Sequence, residues 1–307
     1  MKKLNFFLAL LSLLSGIAGV QGQEIPDKEK SNSPAIVSLE GQQDKSMAMV
    51  TYIANEGFLI QTSNGKMLVD ALFGGIKGRW CEQPDDSLLN LIINGQPSFD
   101  NIDVVLVSHY HVDHFNEKMV TEFMVKNPKT ILFCPDQVNQ LLKKNSSYPQ
   151  FSERVRTIHY TQHKDTSFVT GDIQIRAMTM NHGAYLEKDT ITGELKDLHK
   201  DVENIAYLIK TNGCTFFHGG DASIKAFENF KEAFHESEKV DFAFLDRVFM
   251  QPAGMKVISE LIKPEKLIFM HIEPSRVEYY KNVVKDFPEI FIFSKPLESV
   301  VFQKHSF

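Results

Sequence analysis

His109-Tyr110-His111-Val112-Asp113-His114 follows directly on the apolar run 102–107. Three imidazoles and a carboxylate in so short a stretch suit a metal: neutral imidazole is the commonest protein ligand for zinc, and carboxylate oxygen supplements it where a site must also handle water. In an extended exit from a strand, residues two apart point the same way, so His109 and His111 can reach one ion together. Asp113 and His114 come after the chain has begun to turn into segment 116–127, where Phe115, Met119, Val120, Phe123 and Met124 recur at helical spacing. That pair faces a different point in space, so one motif can serve two metals.

Further ligands must come from elsewhere, because a catalytic zinc needs about three protein ligands and an open position. Three residues obey the same structural rule. His182 follows the strand-like run 173–180, Asp221 follows 214–218 and two glycines, and His271 follows 267–270. Each sits just past an apolar run, where a sheet delivers side chains to one edge.

These elements resemble the metallo-β-lactamase-fold hydrolase superfamily, and the resemblance runs from about Val50 to about Phe293. It is carried by Asp70 in Met67-Leu68-Val69-Asp70, the His-x-His-x-Asp-His run, His182, Asp221 in Gly219-Gly220-Asp221, and His271, all in the family's order. The resemblance implies an α/β fold, a four-layer αβ/βα sandwich with two metals between the sheets. It would place His109, His111 and His182 on the first metal, Asp113, His114 and His271 on the second, and Asp221 between both, with Asp70 orienting the motif loop. Antibiotic-hydrolysing members put Cys where this chain has Asp221 and often Arg where it has His114, and Cys214 lies too early to substitute. The set looks instead like the binuclear esterase, lactonase, thioesterase and phosphodiesterase branches. A redox-active di-iron relative usually has Glu where this chain has His111, so hydrolysis is favoured.

The expected chemistry follows from the ion pair. A divalent metal lowers the pKa of bound water from 15.7 toward roughly 7. A hydroxide shared by two Zn2+, or by Mn2+ or Fe2+ on the same ligands, is expected to attack a carbonyl carbon or a phosphorus. Asp113 is the candidate catalytic residue, orienting that hydroxide and shuttling its proton, while one metal stabilises the developing oxyanion. No Gly-x-Ser-x-Gly elbow occurs, and Ser108 reads as a small strand-end residue.

Lys2-Lys3, an apolar stretch from Phe6 to Leu14 and the small residues Gly16, Ala18 and Gly19 read as a secretory signal over 1–22, cleaved near Val20-Gln21-Gly22. The apolar stretch is too short for a comfortable membrane span, which needs about 20 residues. Export to a periplasm or beyond is expected. The formal charge is −6, and loss of Lys2 and Lys3 makes it −8. Nucleic-acid binders draw their affinity from clustered Lys and Arg, whereas Lys143-Lys144 and Arg154 to Arg156 are scattered and read as solvated faces, so a small-molecule substrate is expected. Three cysteines cannot pair completely, so disulfides are not the source of stability. Cys134 and Cys214 read as buried.

Segment 23–46 is polar and reads as a flexible leader, and 47–307 as a single catalytic domain with 43% apolar content and 24 Phe. Strands are expected at 48–54, 58–62, 67–69, 130–134, 173–180, 205–209, 214–217, 242–245, 267–270 and 290–293. Helices are expected at 116–127, 137–143, 224–234, 256–262 and 276–287. Asn64-Gly65 and Asn212-Gly213 are expected to make tight hairpin turns with positive φ. Segments 73–98 and 185–201 show no clear periodicity and read as loops beside the site. Trp80 and Tyr185 within them, and Arg247 after the strand-end Asp246, are candidate substrate contacts, and His218 a hydrogen-bonding partner behind Asp221. The other histidines, including His163 and His199, receive no role. The sequence thus predicts an exported metal-dependent hydrolase of an ester-like metabolite, a phosphodiester or a lactone. A β-lactamase or a non-catalytic periplasmic metal- or ligand-binding module are the alternatives.

Overall fold

The computed structural model describes residues 47–236 and 239–303, so the expected signal (1–22) and leader (23–46) lie outside the described residues. Among the described residues, sixteen strands form two seven-stranded sheets and a small hairpin. The first sheet contains β1 (Met47–Ala54), β2 (Gly57–Thr62), β3 (Gly65–Val69), β4 (Val104–Leu106), β5 (Ile131–Pro135) and β6 (Val155–Ile158). The second begins with β7 (Asp165–Thr170) and β8 (Ile173–Asn181). A separate hairpin of β9 (Leu186–Lys188) and β10 (Leu195–Asp197) intervenes. The second sheet then resumes with β11 (Glu203–Thr211), β12 (Cys214–His218), β13 (Phe242–Asp246), β14 (Lys266–Met270) and β15 (Ile290–Phe291). The last strand, β16 (Ser299–Gln303), returns to pair antiparallel with β1.

The sheets follow the same plan. In order β16-β1-β2-β3-β4-β5-β6, the first four strands are antiparallel and those from β3 onward run parallel. In order β7-β8-β11-β12-β13-β14-β15, the change from antiparallel to parallel falls at β12. Ligand-bearing crevices in open α/β sheets lie beyond the carboxyl ends of strands where connectivity changes direction, and both switch points face one edge of this sandwich.

Strand periodicity explains the layering, since successive side chains point to opposite faces. Phe58 and Ile60 of β2 join Phe216, Phe242 and Phe244 in the core between the sheets, while Leu59 turns outward to a helix-covered cluster with Phe123 and Leu88. Ala243 and Leu245 of β13 face the opposite outer cluster, under Phe227, Phe249 and Met255. Two sheets between two helical layers result, the four-layer sandwich expected from the sequence. Removing one inner ring, as in Phe58→Ala, leaves a cavity that costs about 3–5 kcal/mol.

Several local expectations change. Segment 73–98 is not wholly irregular: Asp85 caps a helix, Asp86–Ile93, by accepting from the Leu88 amide at 2.7 Å, and Leu88, Leu89, Ile92 and Ile93 bury its inner face. Segment 185–201 carries the β9–β10 hairpin. Strands β6, β7 and β16 escape a pattern reading because they are short or line exposed edges. At Asn212-Gly213 both residues have positive φ, whereas the turn before β3 centres on Ser63-Asn64, since Thr62 pairs with Gly65. Arg154 is no solvated charge: its guanidinium donates to the carbonyls of Met124, Asn127 and Thr130 at the end of helix Glu117–Lys126. Cys81, Cys134 and Cys214 are all buried.

Candidate metal centre

The site is assembled from strand ends. His109 lies just past β4, Asp70 past β3, His182 past β8, Asp221 past β12 and His271 past β14, so the sheet edge that joins the two switch points gathers them. The motif then turns sharply: the His114 and Phe115 amides both donate to the His111 carbonyl, and Asn116 caps the following helix. This turn separates His109 and His111 from Asp113 and His114.

Two groups of donor atoms result, each with members within 4.8 Å of one another: His109, His111, His182 and Asp221, and Glu56, His114, Asp221 and His271. Asp221 belongs to both. Its Oδ2 lies 3.2 Å from His182 Nε2 and 3.8 Å from His109 Nε2, while Oδ1 lies 3.7 Å from His114 Nε2. His109 Nε2 approaches His111 Nδ1 at 3.0 Å. Asp113 Oδ2 stands 3.1 Å from His271 Nε2 and 3.7 Å from His114 Nε2. Among the described residues, His114 Nε2, His182 Nε2 and Asp221 Oδ1 are buried with no hydrogen-bond partner. Buried polar atoms that converge without partners are costly unless a cation sits among them, so the residues fit divalent metal.

Outer hydrogen bonds fix the rings, as ligating histidines require. Asp70, at φ 44°, accepts from the Ser108 amide at 2.7 Å and the Ser108 hydroxyl at 2.6 Å, and lies 3.0 Å from His114 Nδ1. With its proton committed to Asp70, the Ser108 Oγ accepts from His109 Nδ1 at 2.9 Å, leaving the His109 Nε2 lone pair for the centre. Ser108 is therefore more than a small strand-end residue. His182 Nδ1 donates to the Gly183 carbonyl at 2.7 Å, and His271 Nδ1 lies 3.3 Å from Asp246 Oδ2. His218 accepts from the Gly220 amide at Nδ1 and donates from Nε2 to the Glu56 carbonyl at 3.1 Å, so it ties the backbone just before Asp221 to the turn between β1 and β2. Asn204 accepts from the Asp221 amide at 3.0 Å.

The two groups differ in charge. Burial, reinforced by the neighbouring imidazole of His114, pushes His109 well below the ordinary histidine value, and burial with His182 pushes His111 down to about 4. Burial also opposes charge on His114, but the carboxylates of Asp113 and Asp221 overcome it and hold that ring at about 9. His271 is raised well above its ordinary value by Asp221 and Asp113 against the effect of burial. Asp221 is held well below the carboxylate range because His271 and His114 outweigh its burial. Burial and the proximity of Asp221 push Glu56 in the opposite direction, well above that range.

A cleft of about 800 Å³ opens over the centre, lined by His182, Tyr185, His199, Asp221, Arg247 and His271 among others. Tyr185 and Arg247, expected as contacts, therefore reach it, but Trp80 is 46% exposed and is not among its lining residues. Sequence reasoning passed over four participants. His199, from the polar 185–201 segment, packs against His182 and His111 with ring centroids 4.4 and 4.7 Å away, and Tyr185 stacks on it. Glu56 and Asn55 lie in a hairpin turn, and Asp246 ends β13; only Asp246 carried a signal, its place after an apolar run.

Residues 66–276 match the Beta-lactamase superfamily domain, and the chain belongs to that family. It is 24% identical to a metal-dependent hydrolase of Thermodesulfovibrio yellowstonii across 72% of this chain and 77% of the relative. It is 27% identical to a metal-dependent hydrolase of Saccharolobus solfataricus across 54% of this chain, and that match spans only 63% of the relative's length. Igni18, a metallo hydrolase of the hyperthermophilic archaeon Ignicoccus hospitalis, superposes with a TM-score of 0.54 at 15% identity, covering 85% of this chain and all of its own. At that identity the likeness is one of fold.

Proposed function

We propose that this chain, a metal-dependent hydrolase of the β-lactamase superfamily, holds two divalent cations, zinc in the first instance, and cleaves an ester-like bond in a small anionic metabolite, a phosphodiester or a lactone. The observation that carries the reading is the division of the Asp221 carboxylate, one oxygen toward His182 and His109 and the other toward His114. His109, His111 and His182 would hold one cation, and His114, His271 and Asp113 the other, with Asp221 between. Bound there, the cations supply Lewis acidity and lower the pKa of water toward roughly 7.

The chain's own residues do the rest. Asp113, held by the Asn55 amide at 3.2 Å and by His271, keeps a carboxylate oxygen at the centre as acceptor for the nucleophile's proton. Asp70 and Ser108 fix the orientation of His114 and His109. Arg247 and Lys225 line the cleft, and Arg247 is only loosely paired, 3.9 Å from Glu273, so a negatively charged substrate group finds a cation at the rim. His199, its Nδ1 proton given to the Gly183 carbonyl at 3.3 Å, forms the wall beside His182 and His111. The signal-like segment 1–22 supports export as part of the same proposal. No helix among the described residues is long and apolar enough to cross a membrane.

The test is a panel: bis-p-nitrophenyl phosphate, several lactones and nitrocefin, each with zinc-loaded and manganese-loaded protein. Turnover of the phosphodiester or a lactone is expected. Turnover of nitrocefin alone would make the chain a β-lactamase, and failure of every ester, thioester and phosphoester would make it a binding module.

A further inference from the structure

The β1–β2 hairpin closes with Ala54 opposite Gly57, so its turn consists of only Asn55 and Glu56, with Asn55 at φ 46°. Two-residue hairpin turns carry polar residues because they stand in water. This one does not: Asn55 is 3% exposed and Glu56 is fully buried. The turn is pressed into the metal centre. Asn55 donates to both the Oδ2 and the carbonyl oxygen of Asp113, and His218 anchors the Glu56 carbonyl. A Cβ at Gly57 would meet the Asp70 carbonyl at 2.8 Å, so glycine is required for the hairpin to come this close.

Neither carboxylate oxygen of Glu56 has a hydrogen-bond partner among the described residues. The nearby imidazoles offer it nothing, because His114 Nδ1 is committed to Asp70 and His218 Nε2 to the Glu56 carbonyl. A buried carboxyl group without donors must either keep its proton or meet a cation, and the donor atoms gathered around this one offer the second. Its carboxylate falls within 4.8 Å of donor atoms on His114, Asp221 and His271.

We propose that Glu56 is a ligand of the second cation, and that this carboxylate makes the second pocket select Mn2+ or Fe2+ while the first selects Zn2+. The inference rests on the two-cation reading above. Imidazole suits zinc, whereas carboxylate oxygen suits manganese and other harder ions. The first pocket offers three imidazoles and one carboxylate. The second offers two imidazoles with Glu56, Asp221 and the adjacent Asp113, an oxygen-rich set.

The experiment titrates chelator-stripped wild type and Glu56→Gln with Mn2+, following the free-ion signal by electron paramagnetic resonance, and repeats the titration against Zn2+ with elemental analysis. Circular dichroism of the metal-free variant checks its fold. Wild type should bind two ions. Glu56→Gln should weaken the second Mn2+ step about 100-fold, leave the first within about twofold, and shift the second pocket's preference toward zinc. A second Mn2+ step within threefold of wild type, or equal weakening of both steps, or weaker binding with an unchanged Mn2+-to-Zn2+ preference, would overturn the assignment. Should the variant not fold, anomalous diffraction from manganese-loaded wild-type crystals decides: a Glu56 oxygen about 2.2 Å from the second ion is expected, and one beyond coordinating reach sinks the proposal. A wild type that binds fewer than two ions removes the two-cation reading itself, an outcome distinct from a wild type with two ions and an indifferent Glu56→Gln.

Discussion

The two pockets on either side of Asp221 are supplied by the same motif loop yet prepare their imidazoles in opposite ways. His109 and His111 meet mainly other imidazoles and burial, which keep them neutral and ready to donate a lone pair. His114, one turn further on, stands among Asp113, Asp221 and Asp70, which hold a proton on it. A sharp turn at 111–114 is thus enough to set a nitrogen-rich pocket beside an oxygen-rich one. If the pockets hold cations as proposed, entry to the second would displace the protons on His114 and His271, which His109 and His111 do not carry.

The largest break in this comparison is removal of the group both pockets share. Asp221→Ala should lower turnover at least about 10³-fold and cut the bound metal to one ion or fewer; a variant that still binds two would refute a bridging role. His111→Ala removes a ligand from one pocket only. It should abolish turnover yet leave the metal-free melting temperature within a few degrees of wild type, because apolar layers hold the sandwich; a collapsed melt would point to a structural metal.

Proton competition sharpens the contrast next. With His114 held at about 9 and His271 raised beside it, each unit of pH below that should weaken the second cation's affinity at least about tenfold, whereas His111, at about 4, adds no such slope to the first. Chelator competition at pH 6.5, 7.5 and 8.5 reads this directly, and equal slopes for both steps would contradict it. Metal-free stability carries the same signature. The folded value of His114 is raised, so its contribution is complete below pH 6.5 and lost as pH rises through 9; that of His111 is depressed, so its contribution is present above 6.5 and lost as pH falls through 4. Thermal melts of stripped protein should therefore be highest near pH 6.5.

Smaller effects come from groups that touch the ligands. Ser108→Ala breaks the His109–Ser108–Asp70 relay and should weaken the first cation's affinity about tenfold; calorimetric titration checks it, and an unchanged first step would leave the relay without a role. Least of all, His199→Ala should raise KM about tenfold with metal content unchanged, since it removes cleft wall rather than a ligand. Loss of metal in that variant would move His199 into the centre itself.

Much of this was readable in the chain because metal chemistry leaves a local trace. His109, His111, His182, Asp221 and His271 each follow an apolar run, and the end of such a run delivers its side chain to a sheet edge. The unbroken apolar run Phe58-Leu59-Ile60 likewise marks a strand, and its lack of alternation suits burial on both faces. What escaped depends on packing between distant segments. Asn55-Glu56 has the look of any surface turn until the sandwich closes over it. His199 sits among charged residues, and only the β9–β10 hairpin brings it beside His182. Helix Asp86–Ile93 did show its stripe at 88, 89, 92 and 93, but Gly74-Gly75 and Pro84 drew the whole segment into a loop reading.

The two-cation centre is tested most directly by elemental analysis of stripped protein reloaded in graded steps, with turnover of a responsive ester measured at each. Two divalent ions per chain are predicted, with activity rising as the second is taken up. Full turnover at one ion per chain, or saturation that never passes one, would contradict the account.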